Sequence, residues 1–209
     1  MNYQKRDCPI DFDLKLGGFY GSQSCSFQIC GDKHDYWFSY AMGDLFGRLL
    51  NNVYGLCIEV NDPYIDHSIK YITSDSACNY RITKIAATTI WDSEGEDLEW
   101  TITRDLDNNE DKIVKITLDY NYGEKIYSYE VKLVDLCYAV AKAVTKLLKE
   151  SGFCGYHFST DRDYIDIVSF LMVKHIALTG KRLGLSPDNN YCLQFSSLEE
   201  ELELIRFDM

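Results

Sequence analysis

Residues 81–148 read RITKIAATTIWDSEGEDLEWTITRDLDNNEDKIVKITLDYNYGEKIYSYEVKLVDLCYAVAKAVTKLL, and this stretch decides the fold. Successive side chains of a β-strand point to opposite faces, so a half-buried strand alternates apolar and polar residues. Leu98, Trp100, Ile102 and Leu106 share one parity, against Glu99, Thr101, Thr103 and Asp105. Val114, Ile116, Leu118 and Tyr120 oppose Lys115, Thr117 and Asp119, and Tyr127, Tyr129, Val131 and Leu133 oppose Ser128, Glu130 and Lys132. Three such runs in succession predict antiparallel strands with one dry face. The β-branched run from Arg81 to Trp91 adds a fourth, but both of its parities mix polar and apolar residues, which leaves its buried face open. Turn chemistry separates the runs: the acidic loop 92–97 around Gly95, the segment 105–111 with Asn108-Asn109, and the tight turn Asn121-Tyr122-Gly123-Glu124.

The hydrophobic period then changes. Leu133, Leu136, Cys137, Val140, Val144, Leu147 and Leu148 recur at steps of three and four, which predicts a helix with one apolar stripe. Asp135 suits its positive N-terminal end, Lys146 and Lys149 suit the other, and Gly152 can end it. A sheet wet on one side and covered by helices on the other is a two-layer core. The expected fold is therefore α+β: a single antiparallel sheet of about five to seven strands, with the central meander at 81–133 and two or three helices on one face.

Outward from this centre, Phe12, Leu14 and Leu16 alternate with Asp11, Asp13 and Lys15, and Cys25, Phe27 and Ile29 repeat the pattern, predicting an N-terminal hairpin. Met42, Leu45, Phe46, Leu49, Leu50 and Val53 form the apolar face of a helix from about Ser39 to Tyr54, with Ser39 as its cap. Leu56 to Val60 reads as a short strand, and the segment to Tyr80 as an irregular insertion, so that the insertion spans about 56–80. Thr160 with Asp163 predicts the start of a helix running through Ile167, Leu171 and His175 to about Leu178, ended by Gly180. Residues 1–185 read as one domain, and 186–209 as an acidic tail with a short helix whose dry side carries Leu198, Leu202 and Ile205.

The chain has 209 residues, a formal charge of −12, 46% hydrophobic and 14% aromatic residues, enough apolar matter for a packed core. Nucleic acid is an unsuitable partner, because counterion release needs a basic patch and the cations here do not cluster beyond Lys5-Arg6 and Lys181-Arg182. Eighteen consecutive apolar residues occur nowhere, so no membrane span is expected. The first residues, MNYQKRDCPIDFD, lack the apolar run of a secretory signal, and the expected location is the cytoplasm. In that compartment the eight cysteines are expected to be reduced, most of them buried as small apolar groups.

The candidate chemical constellations are sparse. Cys25, Cys30 and His34, and the Cys154/His157 pair, have loose ligand-like spacing. Strand alternation points Cys25 and Cys30 to opposite faces, so neither a metal nor a cofactor is expected. None of His34, His67, His157 and His175 sits in a nucleophile motif, so no catalytic residue is assigned. Asp161, Asp163 and Asp166 read as charges at the positive end of their helix. Aromatic anchors among acids are what a surface gripping a basic protein needs, although most tyrosines in any chain serve as core and rim.

The segments Ser39-Tyr40-Ala41-Met42-Gly43-Asp44-Leu45, Trp91-Asp92-Ser93-Glu94-Gly95-Glu96, Trp100-Thr101-Ile102-Thr103-Arg104 and Gly152-Phe153-Cys154-Gly155-Tyr156 resemble a group of small bacterial cytosolic proteins of the toxin-immunity type. The chain departs from that group in its insertion at Leu56 to Tyr80 and in its acidic tail. The resemblance implies a non-catalytic inhibitor that masks a basic toxin domain. The resemblance assigns no site residues; the acidic loops 92–97 and 105–111 offer Glu94, Glu96, Asp107 and Glu110 as ion-pair partners, with Tyr122 as the desolvated anchor. Two rival expectations stand beside it: a small-molecule-binding domain or enzyme with a pocket between sheet and helices, and a structural subunit with a large exposed apolar patch.

Overall fold

Trp91 and Trp100 lie 5.0 Å apart at the point where two separate sheets meet, in a computed structural model that describes residues 7–16, 23–38, 45–57, 70–74, 81–93, 96–107, 110–159, 165–183 and 196–209. The N-terminal sheet holds β1 (Ile10–Leu16), β2 (Gln23–Ile29) and β3 (Asp32–Phe38) in that order. Helix α1 (Leu45–Leu56) follows. The meander sheet then runs β4 (Lys70–Ser74), β5 (Arg81–Ser93), β6 (Glu96–Asp105), β7 (Ile113–Tyr120) and β8 (Lys125–Lys132), with neighbours in sequence bonded to each other and every pairing antiparallel. Helices α2 (Leu133–Ser159), α3 (Ile167–Thr179) and α4 (Leu198–Arg206) close the chain.

The fold is α+β and antiparallel, as its periodicity predicts, but it carries two sheets where one was expected. Alternation reports which face a strand buries and says nothing about which strand it bonds to. The N-terminal strands meet the meander face to face: Phe27 lies 4.8 Å and Phe12 5.9 Å from Trp100, ring centre to ring centre. Both sheets and the helices share one continuous core. The third strand was not foreseen. Ile29 pairs with Asp32 across Cys30 and Gly31, both at positive φ (51° and 97°), a two-residue hairpin turn matched to strand twist.

Pairing with β6 settles the ambiguous strand. Ile85, Ala87, Thr89 and Trp91 are buried, opposite Arg104, Ile102, Trp100 and Leu98. Arg104 is thus an inward charge on the dry parity; its Nη1 donates to the Leu56 carbonyl at 2.8 Å, satisfying an acceptor that α1 leaves open at its C-terminus. The expected insertion needs two corrections. Leu56 belongs to α1 and not to a strand, and Lys70–Ser74 forms β4 on the edge of the meander. Ile58 to Val60 lie outside the described residues, as do Ser39, Met42, Thr160 and Asp163.

Helix α2 follows β8 with no loop; the Leu133 N–H donates to the Lys112 carbonyl at 2.8 Å. Its predicted stripe is buried as far as Leu147, with Leu148 half-buried, and Tyr138, Ala139, Ala141, Ala143 and Thr145 are buried too, so most of its circumference is covered. Lys142 and Lys146 reach Asp11 and Asp13 on β1 at 2.7 and 2.6 Å. Such exposed pairs stabilise little, about 0–1 kcal/mol each. Gly152 breaks the helix as expected (φ 66°, ψ 169°), yet helical turns resume to Ser159. Helix α3 starts at an Asp166 cap that accepts from the Val168 and Ser169 N–H groups, later than the expected Thr160 start, and ends at left-handed Gly180. Helix α4 opens with a Ser197/Glu200 capping box. It docks through buried Leu204, whereas Leu198 and Leu202, expected on the dry side, are exposed.

Candidate functional site

Four of the five residues singled out by sequence are described, and they fall at opposite ends of the meander. Glu96 opens β6 and Tyr122 lies in the β7–β8 turn, at one end; Asp107 and Glu110 lie in the β6–β7 loop, at the other. Glu94 lies outside the described residues. Ten residues of β6 separate the two ends, about 30 Å at roughly 3.3 Å per residue. A single partner touching both ends must lie along the whole strand.

At the Tyr122 end the two hairpins are tied together. The Asn121 N–H donates to the Asp97 carbonyl at 2.9 Å, and the Asp97 N–H donates to Asn121 Oδ1 at 3.0 Å. Asn121, Tyr122 and Gly123 all take positive φ (51°, 55° and 103°). A left-handed backbone costs a bulky residue about 1–2 kcal/mol, and it persists here because the turn is clamped from within. The Gly123 N–H donates to Asp119 Oδ1 at 2.5 Å, and Asn121 Nδ2 donates to Glu124 Oε2 at 3.0 Å. The outcome is a tyrosine 82% exposed on a stiff support.

Register carries the site beyond the turn, onto the wet face of the sheet. One cross-strand row reads Ile90, Glu99, Asp119, Ile126; the next reads Thr88, Thr101, Thr117, Ser128. Ile90 and Ile126 are 45% and 62% exposed. Glu99 and Asp119 stand directly opposite each other, and like charges so placed cost the sheet stability, on the order of 0.2–1 kcal/mol. Together with Asp97 and Glu124 they make an acidic, partly apolar surface that a cation would relieve. Sequence reasoning saw Glu99 and Asp119 as wet-face residues but missed their pairing, because strand register is not a property of either strand alone.

A buried polar chain crosses between the sheets nearby. Tyr129 donates from its hydroxyl to Asp32 Oδ2 at 3.0 Å, so it accepts from His34 Nε2 at 2.9 Å; His34 Nδ1 then accepts from the Tyr120 hydroxyl at 3.0 Å. This order fixes one neutral tautomer. His34 stacks on Phe27 at 4.8 Å, and its burial holds the imidazole below its usual pKa, partly offset by Asp32 and Asp35. Burial likewise pushes the Tyr120 and Tyr129 phenols well above their usual range. An unfolded histidine takes up its proton near pH 6.5, the folded one only at lower pH, so the unfolded state binds more protons as pH falls. Stability is therefore expected to drop between pH 7 and 5, relative to a His34→Gln variant, by at most about 1.4 kcal/mol per pH unit. Parallel urea titrations of the two proteins check it; a difference independent of pH would show that His34 titrates normally.

The other sequence candidates scatter. Cys25 is buried in β2, whereas Cys30 falls past the end of that strand, exposed in the hairpin turn. Partly buried His175 bonds through Nδ1 to the Lys181 carbonyl at 2.7 Å, near the end of α3. Among the described residues no three His, Cys, Asp or Glu side chains converge to hold a metal ion, and no helix is long and apolar enough to cross a membrane. A cleft between β1, α1 and α2 is lined by Phe12, Leu14, Phe46, Leu49, Val140, Ala143 and Val144, which offer no polar anchor. No protein-family model, curated protein or solved structure matches the chain.

Proposed function

We propose that this chain is a non-catalytic, cytoplasmic bacterial binding protein that masks a basic protein partner, in the manner of an inhibitor protecting against a toxin domain. The observation that carries the reading is the clamped β7–β8 turn, which spends backbone strain to display Tyr122 beside Asp97, Asp119 and Glu124. Rigid aromatic anchors surrounded by charges of one sign suit recognition of a surface of the opposite sign. Glu94, Glu96 and Tyr122 serve the main contact; Asp107 and Glu110, at the far end of β6, serve a second contact or none. The rival reading, a small-molecule pocket between sheet and helices, draws no support from the wholly apolar cleft beside β1.

The test asks whether a reading frame adjacent to this chain's own encodes a basic protein and, where it does, titrates that protein against the chain by calorimetry at 50 and 500 mM NaCl. Affinity is expected to fall steeply with salt, and Tyr122→Ala to weaken binding at low salt by roughly 30-fold, the loss of a ~2 kcal/mol anchor. Glu99→Gln with Asp119→Asn is expected to flatten the salt dependence while leaving the fold intact. Binding indifferent to both ionic strength and Tyr122 would remove the proposal.

A further inference from the structure

Cys57 and Cys137 come together from different parts of the chain. Cys57 sits just past the end of α1, its N–H donating to the Tyr54 carbonyl at 2.9 Å, and Cys137 lies in the second turn of α2. They are 80 positions apart, yet their sulfurs are 3.6 Å from each other, both residues buried. That is a thiol–thiol hydrogen bond, either sulfur able to donate; a disulfide needs about 2.05 Å, a closure of roughly 1.5 Å shared between two side chains. Arg104 enters the same neighbourhood from β6, bonded to the Leu56 carbonyl next to Cys57; the hydrogen bond with Cys57 and then burial hold the Cys137 thiol well above its usual pKa, and the Arg104 charge offsets them only in part.

We infer that Cys57 and Cys137 are a redox modification site: a dithiol that a peroxide converts to an intramolecular disulfide fastening the end of α1 to α2. Cys57 begins the reaction, since it stands where the chain leaves the helix and local fraying uncovers it first. Its thiolate attacks the peroxide O–O bond, keeps one oxygen as a sulfenic acid and releases hydroxide. The Cys137 sulfur then displaces that oxygen, which leaves as water with the Cys137 proton. Two thiols and one H2O2 give one disulfide and two waters, two electrons passing from the sulfurs to the peroxide. Exposed Cys30 and Cys154 offer a contrast, being open to alkylation in the folded protein.

The inference is independent of any partner and is tested on the protein alone. Accessible thiols are first blocked with iodoacetamide under native conditions; hydrogen peroxide is added, the protein is denatured, and remaining thiols are labelled with N-ethylmaleimide before peptide mapping. The expected result is that Cys57 and Cys137 carry neither label and are recovered as one linked peptide pair that a reductant separates. Closing a loop of this length is also expected to raise Tm by roughly 10 °C, a shift absent in Cys57→Ala. N-ethylmaleimide on both cysteines after peroxide, or linkage of either to another cysteine instead, overturns the inference. Should Cys57→Ala fail to fold, the mapping on the unaltered chain still decides.

Discussion

Replacing Trp100 with alanine is expected to remove about 3–5 kcal/mol of folding free energy, the range for truncating a large buried aromatic. Trp100 is fully buried and touches rings from both sheets: Phe12 at 5.9 Å, Phe27 at 4.8 Å and Trp91 at 5.0 Å. Its ring joins β6 to β1, β2 and β5 at once, so the cavity left behind weakens the contact between sheets as well as the meander itself. Trp100→Phe is expected to cost far less, about 1 kcal/mol. Its indole N–H has no acceptor among the described residues, and losing a buried donor of that kind returns roughly 1–3 kcal/mol against the smaller ring. Urea unfolding checks both, with the midpoint shifting and the slope unchanged. A loss below about 1.5 kcal/mol for the alanine variant would show that the aromatic seam does not unite the sheets.

The second large effect is a pH dependence located on α3. Lys174 is fully buried; its Nζ donates to the Phe207 carbonyl at 2.7 Å and to the Ile205 carbonyl at 3.3 Å, holding the end of α4. Burial, and then the like charge of Lys149, push its pKa down to about 8, with Asp208 pulling the other way. The unfolded lysine keeps its proton to about pH 10.4, whereas the folded one releases it near 8, so across this interval the unfolded state binds more protons. Stability carried by this residue therefore rises with pH. Relative to Lys174→Met, the native protein is expected to gain up to about 1.4 kcal/mol per pH unit between pH 8 and 10, roughly 2–3 kcal/mol in all. Cys25, whose thiol burial raises, and Cys137, whose thiol the hydrogen bond with Cys57 and burial raise, act in the opposite sense but are common to both proteins and cancel in the difference. A flat difference would mean that the ammonium reaches water.

How much of this was legible follows from what each residue reveals on its own. The strands β6 to β8 were readable because charges mark their wet parity, Lys115 and Glu130 among them. Strand β5 was not, because alanines and threonines stand on both of its sides, and only Trp91 opposite Leu98 orients it. Strand β3 was hidden by its inward residues, His34 and Tyr36, which look solvent-facing until their partners Tyr120, Tyr129 and the Trp91 carbonyl are known. Alanines at 139, 141 and 143 concealed how fully α2 is covered. Arg104 and Lys174 show the same limit most plainly: a single cation in an element reads as surface, and each is buried because it satisfies carbonyls at the end of another helix. For the candidate site, sequence supplied Tyr122 and the acidic loops. It could not supply the tie between Asn121 and Asp97, nor the distance that sets Glu110 apart.

One consequence of the strand order concerns how the chain reaches this state. Within each sheet every strand bonds to its sequence neighbour, and α2 begins where β8 ends. Each pairing therefore closes a short loop, and the entropic barrier to assembling either sheet stays low. The N-terminal hairpins and the meander can form as two autonomous early units. The late, slow event is then their mutual docking, when Asp11 and Asp13 on β1 find Lys142 and Lys146 more than a hundred positions away.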